Sequence, residues 1–173
     1  MDVEDDNAPR DEPESRQPSV EDLRDLCRHL NDCGARYVVI DGYAMRAAGY
    51  DRATMDIDLL IDTSPENEAK VFRALESLPD KAVSELNAGD VAKYVVVRVA
   101  DEIVIDLMGS AAAIEYAEAA KETVTTHVGG IPVPFASPRL LWRMKKSTHR
   151  ERDVSDLLFL RDWFRSRGEQ PPE

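Results

Sequence analysis

The chain is predicted to be an α/β protein of the α+β kind, with a mixed β-sheet, helices packed on it and a pair of helices at the C-terminus. Three observations predict this. Short β-rich runs alternate with segments whose apolar residues recur at helical spacing. Two pairs of β-rich runs are close enough to form hairpins, around Ala100-Asp101 and around Gly129-Gly130. Serine helix starts stand at Ser19, Ser64-Pro65 and Ser137-Pro138. Together they give the order α-β-α-β-α-β-β-α-β-β-α-α, which suits helices covering a mixed sheet. A length of 173 residues is enough for one such domain with a real core.

Residues 1–18 are acidic and polar, carry Pro9, Pro13 and Pro18, and are expected to be a disordered tail. The domain is expected over 19–168, followed by a short disordered tail at 169–173. Ser19, with Asp22 three residues on, is a capping-box start for a helix carrying Leu23, Leu26, Cys27 and Leu30 inward, and Gly34 stops it. Tyr37 to Ile40 reads as a short buried strand. It leads through Asp41-Gly42 into a short helix from Tyr43 to Ala48, closed by Gly49. The next strand is Asp56 to Ile61. Ser64-Pro65 starts a helix with Val71, Leu75 and Leu78 inward, ending before Pro79. Residues 80–90 are expected to be a polar loop, and Lys93–Val99 and Glu102–Leu107 an antiparallel hairpin. Residues 110–120 are Ala-rich and read as a helix. Lys121–Val128 and Ile131–Phe135 flank the Gly-Gly turn of a second hairpin. Ser137-Pro138 starts a helix through about His149, and a last helix runs from about Arg152 to Arg167.

Composition excludes several classes. No apolar run approaches the length that crosses a bilayer, and the acidic N-terminus is unlike a signal peptide. A cytoplasmic protein that does not enter membranes is expected. Cys27 and Cys33 are read as free thiols on one helix, and they form no metal pattern with His29, His127 or His149. The net charge of -12 argues against indiscriminate nucleic-acid binding. The charge is uneven, however. Residues 1–19 hold seven acids against Arg10 and Arg16, whereas residues 139–167 hold nine Lys/Arg against four acids. That basic segment reads either as a solvated helix face or as a surface for phosphates.

The candidate chemistry lies in three features. Asp56 and Asp58 are two apart on a strand, so both carboxylates share one face while Ile57, Leu59 and Ile61 take the other. They fit either a solvated edge strand or a site for a hard divalent cation such as Mg²⁺. Asp106 ends the otherwise apolar run Ile103-Val104-Ile105, where an unpaired carboxylate is costly; it reads either as a metal-bound or paired carboxylate or as a strand-end Asp making local hydrogen bonds. Gly42 stands at a strand-to-helix turn, where bare backbone can approach a phosphate. Three carboxylates from two strands beside such a turn suit two-metal phosphoryl or nucleotidyl transfer.

The run Val39-Ile40-Asp41-Gly42-Tyr43-Ala44-Met45, then Arg52-x-Thr54-x-Asp56-Ile57-Asp58-Leu59, then Val104-Ile105-Asp106-Leu107, resembles the minimal nucleotidyltransferases of the polymerase-beta superfamily. Within it the chain looks most like the AbiEii-like toxin branch and its uncharacterised relatives. Ser137-Pro138, Leu140-Leu141, Lys145, Arg150-x-x-Asp153 and Asp156 extend the resemblance, which covers about residues 35–165.

The resemblance implies a nucleotidyltransferase fold. It implies that Asp56 and Asp58 bind Mg²⁺, two ions in all, with Asp106 as third ligand or base. It implies that Gly42, Tyr43 and their turn hold the triphosphate, that Lys145 contacts phosphate or acceptor, and that Asp153 supports the site. Arg52 and Thr54 would orient a phosphate or Asp58, or Arg52 would make a structural ion pair. Lys145 has the alternative of a solvent-facing helix lysine, and Asp153 and Asp156 that of helix charges paired with Arg150 or Arg152. One departure stands out: Asp41-Gly42-Tyr43 replaces the usual Gly-Gly or Gly-Ser, placing an acid where a polyanion is expected. Asp41 then points away, recruits a further cation, or marks weakened nucleotide binding.

The activity so implied is Mg-dependent transfer of NMP from an NTP to a hydroxyl of an RNA or tRNA end, a protein or a small molecule. A toxin role with an antitoxin partner goes with the branch, and the segment 139–167 suits an RNA acceptor. The alternatives are a regulatory binding module with an impaired triphosphate turn and, more weakly, a metal-dependent phosphohydrolase.

Overall fold

The computed structural model describes residues 14–173. Of the N-terminal stretch expected to be a tail, residues 1–13 lie outside the described residues. Residues 15–18 are docked on the domain. The Arg16 N–H donates to the Glu102 carbonyl at 2.9 Å, Ser15 Oγ to the Asp101 carbonyl at 2.6 Å, and the Tyr43 hydroxyl to the carbonyl of buried Pro18 at 2.9 Å.

Helix α1 (Val20–Asp32) begins with the capping box read from Ser19 and Asp22 and buries Leu23, Leu26, Cys27 and Leu30. Strand β1 (Tyr37–Ile40) is buried throughout and runs directly into α2 (Asp41–Ala47). Strand β2 (Asp56–Ile61) follows, then α3 (Pro65–Leu75), capped by the Ser64 side chain with proline in its first turn. A short helical turn α4 (Asp90–Lys93) precedes β3 (Val97–Ala100) and β4 (Val104–Met108). The ribbon β5 (Ser110–Ala111) and β6 (Ile114–Glu115) leads into α5 (Tyr116–Ala119). The hairpin β7 (Thr123–Val128) and β8 (Ile131–Ala136) turns on Gly129 and Gly130, both at positive φ, as a two-residue hairpin loop requires. Helices α6 (Pro138–Lys145) and α7 (Glu151–Ser166) close the chain and pack on each other. Cys27 and Cys33 are free thiols, and no helix among the described residues is long and apolar enough to cross a membrane.

The main sheet is mixed, in the order β3-β4-β2-β1-β8-β7. β2 runs antiparallel to β1 and parallel to β4, and β3 and β4 form an antiparallel pair. The register is what matters for function. Ile40 pairs with Asp58, Asp58 with Asp106, and Asp106 with Arg98, so four strands set these residues in one row on one face. On the opposite face Ile57, Leu59 and Ile61 are completely buried. α2 packs against β1, β2, β8 and α6, which brings the helical C-terminus over the end of β1.

Several elements differ from the sequence expectation. The loop 80–90 contains a 3₁₀ turn at Ala82–Glu85, and the strand expected from Lys93 starts only at Val97 because Lys93 closes α4. The β3–β4 connection is a three-residue loop, with Ala100 paired to Val104. Buried Asp101 holds it by accepting from the N–H groups of Asp80, Ala82 and Glu102 at 2.7–3.0 Å. The expected helix 110–120 is first a hairpin, turning at Ala112 and Ala113 with φ of 49° and 63°, and helical only from Tyr116. Burial of Ile114 and Ala119 overrides the helix propensity of the alanines. α6 ends at Lys145, four residues early, and His149 reverses the chain with φ 56°. Residues 169–173, expected as a free tail, return to α6, where the Trp142 Nε1–H donates to the Pro172 carbonyl at 2.9 Å.

Gly42 has an ordinary φ. Its bareness is required by Thr54, whose Oγ1 would lie 2.4 Å from an added Cβ and whose own Cβ would lie 2.7 Å away. Gly42→Ala is therefore expected to destabilise the fold by about 1–3 kcal/mol, the usual cost of overpacking. Urea denaturation of the two proteins measures it, and an unchanged midpoint would refute the contact.

Candidate active site

The C-terminal end of β1, the row on β2, β4 and β3, and the α6–α7 junction surround a cavity of about 710 Å³. Its floor is acidic. Asp56, Asp58 and Asp106 each bring a carboxylate oxygen within 4.8 Å of the others. The cause is local: parallel pairing of β2 with β4 sets Asp58 beside Asp106, and strand alternation returns Asp56 to the same face. Asp58 and Asp106 are buried and Asp56 is half-buried. Burial first, then the charges of Asp41, Asp56 and Asp106, push the Asp58 carboxyl up to about 8. Burial and the Asp106 charge also raise Asp56. An acid trio that must hold a proton near neutrality has the chemistry of a hard divalent-cation site, since all its donors are carboxylate oxygens.

A guanidinium partly answers that charge. Arg98 Nε and Nη2 each donate to one oxygen of Asp106 at 2.9 Å, and Nη2 reaches Asp56 Oδ2 at 3.3 Å. Sequence reading missed Arg98. Its signal was the alternation Val97-Arg98-Val99, but only the register decides what faces it. A two-residue loop at Ala100-Asp101 would have set Val95 opposite Asp106, and the three-residue loop sets Arg98 there instead.

Beside this trio is a second, structural cluster. The Lys145 ammonium is buried and donates to Asp41 Oδ1 at 2.8 Å and Asp153 Oδ1 at 3.0 Å, with Asp156 Oδ2 at 2.9 Å. Arg52 Nη2 adds contacts to Asp41 at 3.1 Å and Asp156 at 2.9 Å, and Arg150 approaches Asp153 at 3.2 Å. Asp41, Asp153 and Asp156 also converge within 4.8 Å, but on an ammonium already at their centre. Burial opposes ionisation of Asp41, yet Lys145 and Arg52 outweigh it and hold the carboxyl below its ordinary range. For Lys145 burial is likewise outweighed, by Asp41 and Asp156, and the ammonium is stabilised. Asp41 itself has φ 56°, a left-handed conformation that Asp tolerates better than most residues. The cluster clamps this turn to α6 and α7.

The residues singled out from sequence divide accordingly. Asp56, Asp58, Asp106 and Lys145 line one cavity. Gly42, Tyr43, Arg52 and Thr54 do not line it. The Tyr43 hydroxyl is spent on Pro18, and Thr54 Oγ1 donates to the Asp56 carbonyl at 2.9 Å while packing on Gly42. Arg52 makes the structural ion pair that was one of its two readings. Asp41 turns toward Lys145 and Arg52, and its charge is matched there. Lys145 is buried rather than solvent-facing. The basic segment 139–167 is not one surface: Arg143 is engaged by Glu118 and Glu122, while Lys145, Arg150 and Arg152 line the cavity.

A model of a protein family described as "Nucleotidyl transferase of unknown function (DUF2204)" matches residues 19–167. No curated protein matches the chain.

Two outcomes follow from the charges. Lys145→Met removes the central cation from buried Asp153 and Asp156 and half-buried Asp41, leaving only Arg52 and Arg150 at the flanks, and is expected to lower stability by about 3 kcal/mol, read from denaturant unfolding. Asp58, with an ordinary value of 3.8 and a folded value of about 8, binds its proton more tightly in the folded state. Its contribution to stability is thus present below about pH 4 and lost as pH rises to about 8. In chelator, the melting temperature of the native protein should fall relative to Asp58→Asn across that window and hold a constant gap above it. A gap independent of pH would contradict the burial of that carboxyl.

Proposed function

The chain belongs to a family of nucleotidyl transferases of unknown function, and on that premise we propose that the cavity performs Mg-dependent transfer of a nucleoside monophosphate from an NTP to a hydroxyl acceptor. The observation that carries this reading is the convergence of Asp56, Asp58 and Asp106 within 4.8 Å of one another in a cavity of about 710 Å³. That volume is in the range of small-molecule sites. Asp56 and Asp58 would hold two Mg²⁺ ions, and Asp106 would be a third ligand or receive the acceptor's proton. Bound Mg²⁺ supplies charge neutralisation at the phosphates and a template for in-line displacement.

The chain's own groups cover the rest of the substrate. Arg98 and Arg152 line the cavity and are exposed enough to meet a polyphosphate. Val95, Val96 and Met144 line the same cavity and offer apolar surface to a nucleoside. The acceptor oxygen bonds to the α-phosphorus, the bond to the β-phosphate oxygen breaks, and pyrophosphate leaves. Arg150 and Arg152, together with the sequence resemblance to the AbiEii-like branch, support an RNA or tRNA end as acceptor and a toxin role with an antitoxin partner. Asp41 favours the second reading, a regulatory module of the same fold. Its pairing with Lys145 and Arg52 removes much of the repulsion on which that reading rests.

Incubation with each NTP labelled on the α-phosphate, Mg²⁺ and total RNA tests the proposal. Label transfer with release of pyrophosphate, abolished in Asp58→Ala, is expected. Calorimetry showing no Mg²⁺-dependent NTP binding would overturn it in favour of the regulatory module, and release of orthophosphate would indicate a hydrolase.

A further inference from the structure

Resting on the reading that Asp56, Asp58 and Asp106 hold a divalent cation, we propose that Arg98 is an exchange residue. It grips Asp106 and Asp56 in the cation-free protein, is displaced when the cation arrives, and then binds the substrate's polyphosphate.

Three observations lead there. The first is competition for the same atoms. Arg98 engages both oxygens of Asp106 at 2.9 Å and one of Asp56 at 3.3 Å, and these two carboxylates belong to the converging trio. A carboxylate held by a two-pronged guanidinium has committed one lone pair on each oxygen, and a cation among the three carboxylates competes for the same oxygens. Two positive centres also repel at such range.

The second is unequal freedom. The Arg98 side chain is 61% exposed, whereas that of Asp106 is 7% exposed and fixed between β2 and β3. When the pair separates, the arginine moves and the carboxylate stays. Lys145 is the contrast: at 6% exposed and enclosed by three carboxylates, it has nowhere to go.

The third is placement. Arg98 lines the same cavity as the apolar Val95 and Val96 and the basic Arg150 and Arg152. Once off Asp106, its planar fork is in the cavity that the substrate enters, and it matches phosphate oxygens as it matched the carboxylate. Release of the arginine thereby couples cation binding to polyphosphate binding, so the second ligand is gripped only after the first is in place.

The test uses Arg98→Gln, Arg98→Lys and Asp58→Asn in the full chain. Mn²⁺ alone is titrated by calorimetry and by electron paramagnetic resonance, and inorganic tripolyphosphate is titrated at saturating Mn²⁺. Arg98→Gln is expected to bind Mn²⁺ roughly tenfold or more tightly and tripolyphosphate roughly tenfold or more weakly, the size of a lost charged hydrogen bond. Arg98→Lys, which keeps the charge without the fork, should fall between on both scales, and it carries the test if the glutamine variant does not fold. A static charge would also move the two affinities in opposite directions in Arg98→Gln, but Arg98→Lys, which keeps that charge, would then match the native protein on both scales, and that match would overturn the inference. The inference is overturned if Mn²⁺ affinity is unchanged or reduced, or if tripolyphosphate affinity is unchanged, while Asp58→Asn still abolishes Mn²⁺ binding. Absence of Mn²⁺ binding in every protein, the native chain included, overturns the cation reading itself and this inference with it.

Discussion

Parallel pairing of β2 with β4 sets the carboxylates of Asp58 and Asp106 side by side on a half-buried face, and much of the surrounding structure answers that placement. Like charges so close in a poorly solvated site cannot all ionise without compensation. Three responses are visible. Arg98 comes from the neighbouring strand to fork Asp106. Asp58 keeps its proton to about pH 8. The remaining acid at the cavity, Asp41, is drawn off toward Lys145 and Arg52. Each compensates for a placement of charge that packing alone would not select.

The two acid clusters look alike in composition and differ in state. Asp41, Asp153 and Asp156 surround cations that are part of the fold: Lys145 at the centre, with Arg52 and Arg150 at the flanks. Asp56, Asp58 and Asp106 face a cavity and are only partly compensated, by a proton and by one largely exposed arginine. The first arrangement locks the β1–α2 turn to the terminal helices. The second leaves its compensation removable. The charge balance is therefore provisional at the cavity and permanent at the β1–α2 turn.

Much of this was legible along the chain. Period-2 and helical patterns, the capping box at Ser19, the Ser-Pro starts and the Gly129-Gly130 turn are local signals, and the elements they mark are present. Where non-local burial competed with propensity, local reading erred. Ile114 and Ala119 pull an Ala-rich segment into a ribbon and a short turn, and the Asp101 carboxylate builds a loop that a dipeptide signal cannot reveal. The same loop hid Arg98, because a shift of register changes which residue stands opposite Asp106. Arg52, Thr54 and Tyr43 were near the right place in sequence but lie away from the cavity. Their polar atoms are bound by Asp156, by the Asp56 carbonyl and by Pro18.

By itself the sequence determined the acidic strand, the third carboxylate and the helical C-terminus, since alternation and spacing are properties of neighbours along the chain. It also identified Asp41 as the departure that needed an answer. Only the tertiary structure decided that the three carboxylates converge, that Lys145 and Arg52 neutralise Asp41, and that Arg98 rather than a backbone turn meets the acidic floor. Those outcomes depend on strand order, register and the docking of α6 and α7 at the β1–α2 turn. All of these are set by burial of residues far apart in sequence, and no local pattern encodes them.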